Sequence, residues 1–319
     1  MKAAVYKEYG GPDMIHILDV EKPWPKENEV LIKVKACSIN DWDWGLLDGS
    51  DWINRAMNGR KKPRITILGS DVAGIVEATG PDVKNLKVGD EVFGDLSGKW
   101  GGFAEYVCAA EKLLALKPAG MSFEQAAAIP QAAMLAVQGL KDVGRMKAGQ
   151  KILINGAGGG VGTFGIQIAK RLGVEATGVD SAIKLDMLRA LGYDHVIDYK
   201  KEDFTKNGQR YDLVVDAKTN RSIFSYMRAL NPGGRYVTVG GMIPRLLQVF
   251  LFGWIAILVG KRIRIVALKP NKDLEFMKSM FNDGTMKPVI DGPYRLDEIK
   301  EAFEKFARGE HKGKLIVVI

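Results

Sequence analysis

The chain has 319 residues, of which 46% are hydrophobic and 26% are charged, and its formal net charge is +8. This length and composition are typical of a folded protein with two domains and exclude a disordered chain. We expect the basic residues to be scattered among acidic ones, as at 200–203 (KKED), and the basic run 60–64 (RKKPR) to be a solvated loop. We therefore do not expect the protein to bind nucleic acid.

Two cysteines, Cys37 and Cys108, are too few for a disulfide framework or a cysteine-rich zinc site, which favours a reducing, cytoplasmic location. The first residues, 1–7, resemble a strand and lack the apolar core of a signal peptide. Residues 246–259 carry no charge, but this segment is shorter than the ~20 residues that span a bilayer. Two interpretations of it stay open: a core helix or wall of the substrate site, and a peripheral membrane contact.

The sequence up to about Met121 consists of short alternating runs divided by Gly, Pro and Asp, which predicts an all-β, barrel-like segment. From Ser122 the pattern becomes Ala-rich and helical, and Ser122 and Gln125 have the spacing of a capping box. The strands predicted in this first part are 29–35, 73–77, 90–93 and 103–107.

Strands and helices then alternate along the chain. The predicted strands are 151–155, 175–179, 195–198, 211–215 and 235–239. One predicted helix begins at 161, and two others cover 185–191 and 223–230. Because each parallel connection needs a crossover, this alternation predicts a parallel, doubly wound sheet that binds a dinucleotide. Past residue 272 the pattern predicts a helix, a strand at 287–290, a helix at 296–308 and a final strand at 314–319.

A glycine-rich turn at 155–162 (NGAGGGVG) joins an apolar strand directly to an amphipathic helix. Gly159 lets the backbone approach a pyrophosphate, and Gly162 lets the helix pack closely on the strand. The helix N-terminus offers free amides and a partial positive charge. The cofactor-binding positions predicted in this turn are Gly158, Gly159, Gly160, Val161 and Gly162.

Asp180 ends the next predicted strand, where an acidic side chain accepts hydrogen bonds from the adenosine ribose. Ser181, Lys184 and Tyr199 are polar groups nearby that a 2′-phosphate can use instead. Because Asp180 would repel that phosphate, the sequence predicts that NADH is preferred about tenfold over NADPH unless a lysine intervenes or Asp180 turns away.

Several motifs spread over the chain resemble one family. They are 88–93 (VGDEVF), 101–107 (GGFAEYV), 155–162, 191–199 (LGYDHVIDY), 231–237 (NPGGRYV) and 313–318 (GKLIVV). Together they resemble the quinone oxidoreductase branch of the medium-chain dehydrogenases/reductases. The resemblance implies an α/β fold in which a GroES-like β-barrel catalytic domain, 1–124 with 270–319, accompanies a doubly wound Rossmann domain at 125–269.

The resemblance also bears on metal binding, since zinc relatives share the fold. Asn40 stands where those relatives carry a ligating Cys, and Ser70 and Asp71 stand where they carry His and Glu. This implies an enzyme without zinc. Without a Lewis acid, hydride addition to a quinone or enone is easier than alcohol dehydrogenation, because conjugation delocalises the developing charge.

The resemblance places Asn40 near the nicotinamide and the substrate, where its amide can hydrogen-bond a quinone oxygen. Asp43 and Asp71 are further catalytic candidates, and each has a second interpretation as a residue that orients local backbone. Gly240 and Gly241 end a strand where the backbone is expected to approach the nicotinamide ribose.

The implied function is reduction of quinones or α,β-unsaturated carbonyls by NAD(P)H. Two alternatives stay open: an enoyl thioester reductase, and a cofactor-binding protein that acts as a sensor, structural protein or RNA-binding protein without catalysis. The segment 262–268 resembles the edge strand through which relatives pair their Rossmann sheets, so a homodimer is expected.

Overall fold

The computed structural model describes residues 1–241 and 243–319 and divides into two compact units. Unit 1 combines Met1–Gln131 with Pro270–Ile319, and unit 2 is Ala132–Lys269. The sequence predicts that the first part of the catalytic domain ends at 124. In the structure this boundary lies a few residues later. The reason is that the Ala-rich helix beginning after Ser122 packs against strands of unit 1.

The helices and strands follow one another in chain order. Those of the first segment are β1 Lys2–Tyr6, β2 Ile15–Asp19, β3 Glu29–Ser38, α1 Asp41–Asp48, α2 Trp52–Asn58, β4 Asp71–Thr79, β5 Glu91–Asp95, β6 Tyr106–Ala110, β7 Ala115–Leu116, α3 Phe123–Ala128 and α4 Pro130–Val137. Those of unit 2 are β8 Lys151–Asn155, α5 Gly160–Lys170, β9 Glu175–Asp180, α6 Leu185–Ala190, β10 His195–Asp198, β11 Tyr211–Asp216, α7 Ile223–Arg228, β12 Leu230–Thr238, α8 Ile243–Leu258 and β13 Arg262–Ile265. The last segment contains α9 Leu274–Asn282, β14 Ile290–Arg295, α10 Ile299–Ala307 and β15 Lys314–Val318.

Unit 1 is built on a seven-stranded sheet in the order β14-β15-β3-β4-β5-β7, with β6 also paired to β3. All its pairings are antiparallel except that of β14 with β15. Alternate residues of β3 and β4 enter a core that includes Val30, Ile32, Val72 and Phe303. The last strand, β15, therefore completes a sheet that begins near the N-terminus.

Unit 2 contains a six-stranded parallel sheet in the order β10-β9-β8-β11-β12-β13. Counted within the unit, this order is 3-2-1-4-5-6, the doubly wound arrangement that binds dinucleotides. Helices α7 and α8 cover one face, where Tyr226, Tyr236 and Ile263 are buried together. The predicted α/β fold class is confirmed.

Two predicted strands are displaced. The segment 103–107 was expected to be a strand, but β6 begins only at Tyr106, while Ala104 makes an isolated bridge with Ala3. The strand expected at 287–290 is wrong, because β14 is Ile290–Arg295. Pro288 has no N–H to donate, and the ladder with β15 starts at Ile290 beside Lys314.

The uncharged segment 246–259 forms most of α8, but it is not a core helix. Val249 and Ala256 are buried, whereas Phe250 and Leu258 on the other side are 81% and 74% exposed. In the described part of the chain, no helix has both the length and the apolarity needed to cross a membrane.

Candidate active site and nucleotide-binding turn

A row of buried polar side chains crosses the sheet of unit 1. The strand register places Ser38 of β3 beside Asp71 of β4, and Asp71 beside Asp95 of β5. All three residues are fully buried. Because buried polar groups are costly without partners, the atoms around this row decide its chemistry.

Lys314, the first residue of β15, brings a positive charge to this row. Its Nζ donates to the carbonyl oxygen of Ile39 at 3.1 Å and to Oδ1 of Asn40. The same nitrogen lies 3.5 Å from Asp71 Oδ2, and the two side chains are 5% and 0% exposed. A buried ammonium group thus joins the amide of Asn40 to a carboxylate.

Asn40 is held on both ends of its amide. While Oδ1 accepts from Lys314, Nδ2 donates to Ser70 Oγ at 3.1 Å. Asn40 also caps α1, and its backbone N–H donates to Asp43 Oδ2 at 2.9 Å. The Asn40 side chain also hydrogen-bonds the carboxylate of Asp71. The orientation of the amide is therefore fixed by groups on several segments of the chain.

The structure places Asp43 as a residue that orients backbone. Its Oδ1 accepts from the N–H of Gly69 at 2.9 Å, and its Oδ2 accepts from the N–H of Asn40. Burial raises the pKa of Asp43 to about 7, although both hydrogen bonds oppose this shift. Asp43 fixes the loop that carries Ser70 next to Asn40.

Asp71 lies at the centre of the row. Its Oδ1 accepts from the N–H of Gln131 at 3.1 Å, and its Oδ2 accepts from Ser38 Oγ at 3.0 Å. Burial raises the pKa of Asp71 to about 6, since the positive charge of Lys314 compensates only part of this effect and Asp95 adds to it. The ammonium group and the carboxylate are therefore the dominant charges of the site.

Asp95 ends the row. Its Oδ1 accepts from the N–H of Ser97 at 2.7 Å, whereas its Oδ2 has no hydrogen-bond partner among the described residues. Burial raises the pKa of Asp95 as well. Two neighbouring carboxyl groups thus share one compensating cation, which favours retention of a proton by the pair.

The donor set of this cluster does not fit a zinc ion. Zinc takes Cys, His and carboxylate ligands in a tetrahedron, whereas the groups here are an amide, a hydroxyl, a carboxylate and a cationic ammonium. The positive charge of Lys314 between Asn40 and Asp71 opposes a second cation at the same place. In the residues that the structure describes, no group of three or more His, Cys, Asp or Glu side chains could hold a metal ion.

The glycine-rich turn of unit 2 connects β8 to α5. Gly156 has a φ of +85°, and a Cβ at Gly162 would collide with the carbonyl oxygen of Ala157. The N-cap residue of α5, Gly159, has no side chain to cap the helix, and Gly159, Gly160 and Val161 are partly exposed. These features fit a dinucleotide, because the free amides of the first helical turn can meet a pyrophosphate.

Asp180, at the end of β9, points back to this turn. Its Oδ2 accepts from the N–H of Gly158 at 2.8 Å, and its Oδ1 accepts from the N–H of Ser181 at 2.8 Å. The ammonium nitrogen of Lys184 lies 3.4 Å from Asp180 Oδ1, and the two side chains are 3% and 7% exposed. Tyr199 is close by, since its N–H donates to the carbonyl oxygen of Asp180, and its side chain is exposed.

The carboxyl ends of β11 and β12 form a second buried network in unit 2. Asp216 accepts from Asn155 Nδ2 at 2.8 Å, from the N–H of Thr219 at 2.9 Å and from the hydroxyl of Tyr236 at 2.9 Å. The hydroxyl of Thr219 donates to the carbonyl oxygen of Gly240. The backbone at this strand end is therefore held by the side chains of the neighbouring strand.

Gly241 follows with a φ of +123°, and a Cβ there would collide with the side chain of Thr219. Both glycines predicted to approach the cofactor, Gly240 and Gly241, therefore lie at the carboxyl end of the parallel sheet. Dinucleotides bind at this end of doubly wound sheets.

Sequence reasoning missed several members of these networks, among them Lys314, Gln131 and Asp216. The sequence does indicate that Lys314 has a partner. It begins a strand of otherwise apolar residues, KLIVV, and a lysine is costly to bury there alone. Asp216 is indicated in the same way, because it ends the largely apolar strand YDLVVD. The partners of each could not be found from these signals alone.

Comparisons with known proteins cover both units. Residues 26–119 match the alcohol dehydrogenase GroES-like domain, and residues 191–317 match the zinc-binding dehydrogenase family. The chain is 33% identical over 331 residues to an NADPH-dependent alkenal/one oxidoreductase, chloroplastic, of Arabidopsis thaliana, covering 99% of this chain and 79% of the relative.

A second relative from the same plant is a chloroplast envelope quinone oxidoreductase homolog, which is 32% identical over 329 residues. The match covers 99% of this chain and 98% of the relative. Among solved structures, the quinone oxidoreductase from Coxiella burnetii superposes with a TM-score of 0.90 at 28% identity. That match covers 100% of this chain and 99% of the other.

Proposed function

Because the chain belongs to the quinone oxidoreductase branch of the medium-chain dehydrogenase/reductase superfamily and is an oxidoreductase, we propose that it reduces quinones or α,β-unsaturated carbonyls with NAD(P)H. The observation that carries the proposal is the contact of Lys314 with Asn40 Oδ1. It places a cation on the oxygen of the Asn40 amide, which polarises the N–H groups at its other end.

In the proposed reaction, a dinucleotide bound at the glycine-rich turn would supply a hydride for the conjugated acceptor, and a proton from solvent would complete the two-electron reduction. The negative charge develops on the carbonyl oxygen of the acceptor. Asn40 Nδ2 turns one N–H from its present acceptor to this oxygen, and the ammonium group of Lys314 polarises the amide from its other end. Asp71 and Asp43 are positioning residues, because one holds Lys314 and the other holds the backbone around Asn40.

The reaction is proposed to need no metal. The support is the donor set, in which the ammonium group of Lys314 provides the fixed positive charge. Conjugation of the acceptor spreads the developing charge, so that one hydrogen bond and one nearby cation are sufficient electrophilic assistance.

The pair formed by Asp180 and Lys184 governs the choice of cofactor in this proposal. Asp180 favours NADH by repelling a 2′-phosphate, but the ammonium group of Lys184 at 3.4 Å compensates that charge. The tenfold preference for NADH is expected to weaken if a lysine lies next to Asp180, and Lys184 is such a lysine. We expect NADH and NADPH to be used within about tenfold of each other, with Ser181 and Tyr199 available to the phosphate.

The homodimer and the cytoplasmic location remain predictions. The dimer is supported by the position of β13 at the edge of its sheet in the described part of unit 2. The location is supported by Cys37 and Cys108, which are both free and buried.

The experiment that tests the function measures oxidation of NADH and NADPH by the purified chain with a benzoquinone, a naphthoquinone, an enal, an enone and an enoyl thioester. The expected result is turnover of the quinones or of the enal and enone. Preference for the enoyl thioester would favour the thioester reductase instead. No turnover with any acceptor, although the cofactor binds, would overturn the enzymatic proposal.

A further inference from the structure

The outward face of α8 is an apolar stripe. Leu247, Phe250, Leu251, Trp254 and Leu258 are 52%, 81%, 56%, 59% and 74% exposed. Their spacing of three and four residues places them along one side of the helix. A helix at the surface of a globular protein normally turns charged residues outward, yet this side of α8 has none.

A further exposed apolar contact joins α7 to the flank of α8. Phe224 of α7 is 53% exposed, and its ring lies 6.1 Å from that of Phe252, which is itself partly exposed. Val249 and Ala256 on the opposite side of α8 are buried in the core of unit 2. Apolar side chains therefore occupy both sides of α8. Because monomeric proteins rarely leave a continuous apolar patch of this kind in water, the face needs an occupant.

The segment of the chain that carries this face has charges of one sign. Residues 217–272 contain ten of the 46 basic residues and none of the 38 acidic ones, so the rest of the chain is slightly acidic. The expected even mixing of charges fails in this stretch. Arg228 ends α7, Arg245 lies in the first turn of α8, and Lys261 follows its end. Cations thus lie near both ends of α8.

We propose that the outward face of α8 binds the surface of a lipid bilayer that contains anionic lipids. The helix has 16 residues and is about 24 Å long, and it would lie in the plane of the headgroups. Phe250, Trp254 and Leu258 would enter the boundary between headgroups and acyl chains, while Arg228 and Arg245 would meet lipid phosphates. An apolar stripe with Trp, Phe and Leu, accompanied by Arg and Lys at the helix ends, is the pattern of an interfacial helix.

The end of α8 is anchored in a way that suits this role. Lys261 Nζ donates to the carbonyl oxygen of Met227 at 2.6 Å, which ties the end of α8 to the end of α7. This contact holds the end of α8, and with it the stripe, in a fixed position against α7. A fixed surface loses little conformational entropy when it binds a membrane.

A second copy of the chain is a poorer occupant of this face. In a twofold interface the same patch meets itself. Arg228, Arg245 and Lys261 would then approach the same set of cations on the other copy, and no acidic residue lies within 217–272 to compensate them. An anionic lipid surface supplies the missing charge.

The test is co-flotation of the full-length chain with vesicles. One set contains phosphatidylcholine alone, and the other contains about one-third phosphatidylserine. We expect binding to the anionic vesicles that falls at least about tenfold when salt is raised from about 0.1 M to about 0.5 M. The double variant Phe250→Ser/Trp254→Ser should lose this binding, and Arg228→Gln/Arg245→Gln should weaken it and reduce its salt dependence.

The matched control is Trp24→Ser, which removes an aromatic side chain that is 76% exposed in unit 1 and should leave vesicle binding unchanged. Circular dichroism and thermal unfolding check that each variant is folded. Absence of binding to either vesicle, or equal binding to both, would overturn the proposal. So would a dimer in lipid-free solution that dissociates in the Phe250→Ser/Trp254→Ser variant, because a second copy would then cover the face.

Discussion

The ammonium nitrogen of Lys314 lies 3.5 Å from Asp71 Oδ2 at a site that water hardly reaches, since the two side chains are 5% and 0% exposed. A charge pair in such a place is costly to separate, because either partner left alone is a buried uncompensated charge. The pair therefore links the stability of unit 1 to the electrophilic group of the proposed site.

Replacing Lys314 with Met should lower both stability and activity. The carboxyl group of Asp71 loses its cation, and Asn40 Oδ1 loses its donor. We expect a loss of roughly 3–5 kcal/mol in the free energy of unfolding and a fall in kcat of roughly 10²-fold with little change in KM. Chemical denaturation and steady-state kinetics with a quinone measure the two effects.

The control for this variant is Lys117→Met. Lys117 is also buried and paired, with Glu91 Oε2 at 2.8 Å, but it does not contact Asn40. It should lose stability while retaining kcat. Lys314→Arg, which keeps the charge, should recover part of the activity. Equal kcat values in Lys314→Met and the wild type would show that Lys314 is only structural.

Asp43→Asn should change how stability depends on pH. The pKa of Asp43 in the folded protein, about 7, is above the ordinary value of 3.8. A raised folded pKa gives a stabilising contribution that is complete below pH 3.8 and is lost as pH rises through 7. The wild type should therefore lose stability relative to Asp43→Asn across this interval, because Asn does not titrate.

The measurement is the free energy of unfolding of both proteins from pH 4 to pH 8. Asp41→Asn, which removes an exposed carboxylate from the same helix, serves as the control and should follow the wild type. Parallel curves for the wild type and Asp43→Asn would mean that Asp43 keeps its charge over the whole interval.

Much of the fold is predictable from the sequence because its signals are local. Alternation of apolar strands with amphipathic helices predicts the parallel sheet of unit 2, and the turn at 155–162 predicts where α5 begins. The strand at 287–290 was misplaced because apolar residues beside Pro288 do not reveal which N–H groups find partners. The sequence leaves open whether α8 is a core helix or an exposed one, since an apolar sequence does not show which side is covered.

The site was only partly predictable because its decisive contacts are distant in sequence. The family resemblance makes Asn40 a candidate, but its partner Lys314 lies 274 positions away. The spacing of Asp180 and Lys184 is visible in the sequence. That Lys184 turns toward Asp180 instead of solvent depends on packing over Gly158, which the sequence does not specify.

The purified chain should contain less than about 0.1 zinc per molecule and keep its activity in strong chelator, because its donor set is unsuited to zinc. Elemental analysis and assays with and without chelator provide the measurement. Finding about one zinc per chain, together with loss of activity on chelation, would contradict the metal-free reaction.

Lys184→Met should shift cofactor use toward NADH. With its cation removed, Asp180 repels a 2′-phosphate without compensation, and we expect the ratio of kcat/KM for NADH to that for NADPH to rise about tenfold. Asp180→Ser should shift the ratio the other way. Lys170→Met is the matched control, because Lys170 pairs with Asp194 in the same unit but is more exposed. If neither the change at Asp180 nor that at Lys184 alters the ratio of kcat/KM values, the 2′-phosphate of NADPH does not bind next to these two residues.

The predicted homodimer should be strengthened by salt. In a twofold pairing through β13, Arg262 and Arg264 would face arginines of the other copy. Within one chain, Arg262 already stands beside Arg235 in the strand register. Burial and the positive charges of Arg262, Arg145 and Arg264 lower the pKa of Arg235. Screening of this repulsion should favour association, whereas binding to an anionic membrane should weaken in salt.

Light scattering at several protein concentrations and at low and high salt measures the dimer. Ile265→Lys should shift the protein toward monomer, because the side chain is 41% exposed on the edge strand and the change adds a further cation there. Ile17→Lys makes the same change at a residue of β2 that is 37% exposed and should have no effect. A wild type that stays monomeric when concentrated in high salt would show that the backbone groups of β13 do not pair with a second copy. The edge of the sheet would then be protected by the repulsion of its own arginines.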